Sequence, residues 1–182
     1  MSSAPSNNPL VQQLQLLLTG YGYNFYDKTN QARADDQLVR ERASYNLAQA
    51  VTLLAQLRGD YSTLFIPPLT RANPDPPAET LAQLRAIEAA QQAIAAVESH
   101  IRAMPVPTQD RTWWRIRQEQ NLLLQLLNFD LALVRGSEQL YQYVAQLTPE
   151  RWNSEGGGAL RQMTQQLTHL AQERERFLLL PL

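Results

Sequence analysis

The residues of this chain best placed to do chemistry are a few carboxylates and one arginine that fall on apolar helix faces. In the stretch from Asp110 to Leu147, Glu119, Asp130 and Ser137 lie within about 20° of one another when each residue turns 100°. They sit at the centre of an otherwise apolar face. A carboxylate in that position has to be paired, bound to a metal or protonated, because an isolated buried charge is too costly. Arg174 sits mid-face in the last helical stretch. Counted back across the turn at 148–157 it stands opposite about Leu131, so the spacing predicts a buried ion pair between Asp130 and Arg174.

A second set of polar residues enters the stretch 30–66. Asp35 and Asp36 flank its apolar stripe, Asn46 lies close to the centre and Arg42 stands at the margin. A level count through the turns puts Asn46 near Arg115 and Glu98, with Arg42 and Glu119 close by. The expectation is a polar layer of opposite charges that fixes helix register. A metal centre is the sharper alternative. Di-metal carboxylate bundles combine lone glutamates with Glu-x-x-His pairs. The chain has only 2 histidines, His100 and His169, both off the apolar stripes and neither in that spacing. With arginines at the same levels, neutralisation by protein is expected, and no metal and no cofactor.

Nucleophilic catalysis finds no footing. There are 0 cysteines, no Gly-x-Ser-x-Gly and no inward histidine to act as base. Gly156-Gly157-Gly158 has no lysine after it and follows no strand, so it reads as a hinge between helices, not a phosphate loop.

Two further clusters have the composition of contact surfaces. Trp113, Trp114, Arg115 and Arg117 combine aromatic rings with guanidinium groups, which interfaces favour. The second runs from Tyr21 to Arg42 and includes Tyr21, Tyr23, Tyr26, Arg33, Asp36 and Arg40. Local pairs such as Asp36–Arg40, four residues apart, explain part of it. The level count brings both clusters to one end of the molecule, where they could line a pocket or a docking surface.

The elements that position these residues are helices. The stretch 110–147 is apolar on nearly every side around Leu122–Val134, the mark of a buried central helix. Asn8 and Pro9 suit the start of a short helix over 9–19, after a disordered lead-in at 1–8. Apolar residues at helical spacing predict helices over 30–66, 78–104, 110–147 and 159–180, with Pro67-Pro68 and Pro105 as breaks. In 78–104, Ile87, Ile94 and Ile101 repeat every seven residues, as in a bundle seam. The expected fold is therefore all-α: a single-domain up-down-up-down four-helix bundle over 9–182, with the short N-terminal helix packed at one end.

With 182 residues, 44% hydrophobic content, a net charge of −1 and a pI near 6.1, the chain is sized for one substantial core and lacks a basic nucleic-acid footprint. No segment reads as a membrane span, and the first residues have no signal-peptide pattern, so a cytoplasmic protein is expected. The functional expectation is a non-catalytic helical bundle working through protein–protein contact or self-association, as an adaptor, scaffold or assembly factor. The alternative is a small-molecule or metal-binding bundle, an enzyme being one form of it, using the inward carboxylates and the aromatic end.

Overall fold

A computed structural model gives the fold and describes residues 9, 11–13, 29–68, 75–105, 116 and 119–179. Among the described residues the chain is all-helical, without strand. Its elements are α1 (Thr29–Phe65), α2 (Ala78–Ala103), α3 (Gln120–Ala145), α4 (Pro149–Glu155) and α5 (Gly158–Leu179). Helical residues also occur at 11–13 and at Ile116, and both Val11 and Ile116 are buried. No helix among the described residues is long and apolar enough to cross a membrane.

The ends of these helices follow from local chemistry. Pro67 and Pro68 stand just beyond α1, and Pro77 directly precedes α2 in an extended conformation. Thr148 caps α4: its hydroxyl accepts from the Arg151 backbone N–H at 3.2 Å, with Pro149 at the first helical position. The Glu150 carboxyl lies below its usual range, because its own backbone N–H and the Thr148 hydroxyl hydrogen-bond it. Gly156 ends α4 with φ of 66°, a conformation that costs glycine least.

The long helices pair as α1 with α2, α1 with α3, α3 with α5, and α2 with α5. Side-chain links give the directions. Arg58 meets Glu88 while Arg40 meets the α2 C-terminus, so α1 and α2 are antiparallel. Phe129 packs on Phe177 and Gly136 approaches Leu167, so α3 and α5 are antiparallel too. Arg174 joins Asp36 to Asp130 and, further along, Asn46 bonds Ser137, which makes α1 and α3 parallel neighbours. The core between them holds Val39, Leu47, Leu54, Ile87, Ile94, Ile101, Leu126, Leu133 and Leu167.

Three expectations need correction. The helix anticipated over 110–147 is not continuous: Glu119 is extended, with φ −93° and ψ 99°, and α3 begins after it. Its carbonyl accepts from the N–H groups of Leu122 and Leu123 in the first turn. Because helical phase is lost at this cap, Glu119 is exposed instead of sharing the buried face of Asp130. Asn46 bonds Ser137; of the layer expected around it, Arg115 lies outside the described residues. Leu64, placed by periodicity on the apolar face of α1, is exposed in the last turn of that helix.

Candidate functional site

At the end of the bundle where α1 begins, one arginine ties several helices together. The Arg174 guanidinium, on α5, is fully buried. Its Nε donates to Asp130 Oδ1 on α3 at 2.7 Å, and its Nη2 donates to Asp36 Oδ1 on α1 at 2.7 Å. Its Nη1 faces the Met104 sulfur, just past α2, at 3.5 Å. Asp36 is fully buried as well, and its other oxygen accepts from Arg40 Nε at 2.9 Å. Arg40 Nη1 then reaches the carbonyls of Arg102 and Met104 at 3.3 and 3.4 Å. This placement suits a cation, since the last carbonyls of a helix carry its negative dipole end.

Asp35 is the odd member of the group. It is 8% exposed, and its Oδ2 is buried with no hydrogen-bond partner. Burial, reinforced by the nearby negative charge of Asp130, pushes its carboxyl up to about 7. Sequence reasoning placed Asp35 and Asp36 beside the apolar stripe. Only the approach of α3 and α5 turns that margin into interior.

The middle and far end of the bundle are held by neutral groups. Asn46 Nδ2 donates to Ser137 Oγ at 3.1 Å, and that hydroxyl donates to the Val134 carbonyl at 2.8 Å. At the α4 end, the fully buried Trp152 donates from Nε1 to Gln83 Oε1 at 3.1 Å. Tyr61 donates to Asn153 Oδ1 at 2.7 Å, and burial holds its hydroxyl above the ordinary value, with Glu79 adding to the shift.

The structure brings together Asp36, Arg40, Asp130 and Arg174, and separately Asn46 and Ser137. Asp36 and Arg40 were expected in a docking surface; Asp36 is fully buried in the interior network, while the half-buried Arg40 joins that network through Asp36 and also lines the depression beside Tyr45. Arg42 is half-buried, with its guanidinium 5.6 Å from the centre of the Tyr45 ring. His100 contacts Glu175 at 3.3 Å, and His169 contacts Glu173 at 3.4 Å. Tyr21, Tyr23, Tyr26, Trp113, Trp114, Arg115 and Arg117 lie outside the described residues, as does the side chain of Arg33. Among the described residues no group of three or more acidic or histidine side chains is arranged to hold a metal ion.

Two concave surfaces among the described residues bear on function. A groove of about 400 Å³ runs between α2 and α5, floored by Ala86, Ala89, Ala90, Ala93 and Ala96 and walled by Thr164, Gln165, Thr168 and Gln172. A shallower depression of about 520 Å³ lies beside Arg40, Ser44, Tyr45 and Arg102. Tyr45 and Leu38, one heptad apart on α1, are 56% and 46% exposed.

Compared with known proteins, the chain matches no family model, no curated protein and no solved structure.

Proposed function

We propose that this chain is a non-catalytic helical-bundle protein that acts through protein–protein contact or self-association, in an adaptor, scaffold or assembly role. The observation that carries this reading is the pair Leu38 and Tyr45, large apolar side chains about half exposed on the outer side of α1. Meanwhile Asp36, Arg40 and Arg174, groups able to do chemistry, are spent on one another. An aromatic ring beside arginines and a shallow depression is a composition interfaces favour. The fold we infer is a four-helix bundle whose long helices alternate in direction, with the short N-terminal helix packed at one end; the burial of Val11 in the core cluster supports the packing of that helix. The setting we propose is the cytoplasm, in keeping with a mean hydropathy of −0.37.

The test is a double variant, Leu38→Glu with Tyr45→Glu. Surface substitutions away from buried features change stability by only about 0.5 kcal/mol. The variant should therefore keep the wild-type urea midpoint and lose the partner captured by wild-type protein from its native cell, or its self-association in light scattering. Unchanged capture and unchanged mass would remove α1 as the contact surface.

A second reading is favoured by the α2–α5 groove, whose 400 Å³ lies within the roughly 300–1,000 Å³ of small-molecule pockets. An apolar floor with amide and hydroxyl walls fits a small amphipathic molecule. Filling it with Ala93→Leu should abolish any thermal shift that such molecules induce in the wild type. A shift that survives the substitution places the ligand elsewhere.

A further inference from the structure

Among the described residues, the network at the Arg174 end together with its neighbour Asp35 holds three carboxylates and two guanidiniums. From α1 come Asp35, Asp36 and Arg40, from α3 Asp130, and from α5 Arg174. The end of α2 contributes the Met104 sulfur and the carbonyls of Arg102 and Met104. The flanking pairs Arg102–Glu98 and His100–Glu175 are each internally matched. Arg174 is committed to Asp36 and Asp130, and Arg40 to Asp36 and the α2 carbonyls. Asp35 is left with a buried oxygen that meets no donor.

We propose that Asp35 is a proton-operated latch: it is buried in its neutral form, and losing that proton releases the start of α1 from α3 and α5 while the Trp152 end stays closed. The geometry supplies both halves of the device. Neutral Asp35 adds no charge to a dry site already occupied by Asp130. Ionised Asp35 is a further negative charge there: its buried oxygen meets no donor, Arg40 and Arg174 are already bonded to Asp36 and Asp130, and the Arg42 guanidinium lies against Tyr45. Among the described residues the simplest relief is therefore to move out to water. The far end is held by neutral hydrogen bonds, Trp152 to Gln83 and Tyr61 to Asn153, which feel none of this charge.

The direction of the pH effect follows from linkage. The Asp35 carboxyl is raised from 3.8 to about 7 in the closed form. Its stabilising contribution is therefore fully present below pH 3.8 and is lost as the pH rises through about 7. For an open form with the ordinary value, the opening equilibrium grows about tenfold between about pH 6 and about pH 8.

Two measurements on the full chain test the latch. Carboxyl-carbon NMR should show Asp35 titrating near neutrality; titration in the ordinary carboxylate range overturns the proposal. Hydrogen exchange, corrected for intrinsic rate, should speed up about tenfold at residues 35–45 over that interval, with residues 150–165 unchanged. Asp35→Asn keeps the shape and removes the proton, so it should abolish the acceleration. An acceleration that persists in Asp35→Asn, or one shared equally by both ends, also overturns it.

Discussion

Arg174 meets carboxylates from two other helices, and the cost of losing it depends on what stays behind. Replacing it by methionine keeps much of the volume but removes the cation that Asp36 and Asp130 share in a buried site, leaving Asp36 its contact with Arg40. Removing one partner of a buried pair typically costs about 3–5 kcal/mol. Arg174→Met should therefore lower the unfolding free energy read from urea denaturation by that much at neutral pH, and by less in acid, where the stranded carboxylates take up protons. A loss below about 1 kcal/mol would match an exposed pair instead. The Asp130–Arg174 contact was legible in the sequence, because a short turn separates α3 from α5 and a level count survives it. Asp36 was not legible as the third member: it lies 138 residues from Arg174, and no turn geometry links the two positions. Glu119 was misplaced for a different reason. A helical wheel assumes unbroken phase, and the chain is extended at that residue.

At the scale of elements, α4 is a wedge of 7 residues whose position depends on one ring. Trp152 lies so close to the backbone that a Cβ built on Gly157 would meet its Cη2 at 2.8 Å. The ring is rigid and fully buried, so it cannot swing aside as a leucine tip could. Gly157→Ala should therefore cost about 1–3 kcal/mol through overpacking. The tryptophan emission should shift to the red if the indole is displaced towards water. By contrast, Gly158→Ala meets nothing within 4 Å and serves as the control. The sequence marked the three glycines as a hinge. Periodicity could not reveal that the middle one makes room for an indole, since the contact is set by the return of α5 over α4. A similar limit explains Asn46. Its partner Ser137 sits on a parallel helix, reached only after α2 and the link beyond it have been crossed.

For the molecule as a whole, helical periodicity was a reliable guide because each long helix carries one continuous apolar stripe, as Ile87, Ile94 and Ile101 do on α2. What the stripe could not specify was which helices become neighbours, since that depends on how the links cross the bundle ends. The result is a molecule whose two ends differ in kind: charged and pH-responsive around Arg174, neutral and aromatic around Trp152. The outer face of α1 carries Leu38 and Tyr45 near the charged end, so any partner docked there sits beside the Asp35 latch.

The span of the Arg174–Asp36 contact has one more consequence, for the order of assembly. Helices α3 and α5 adjoin through a short connection and can zip early, whereas α1 must close a loop of more than a hundred residues to reach Arg174. Contacts that form after the rate-limiting step govern how fast a protein comes apart, more than how fast it folds. On that order of assembly, the ionic end belongs with the contacts that act on the rate at which the native state comes apart.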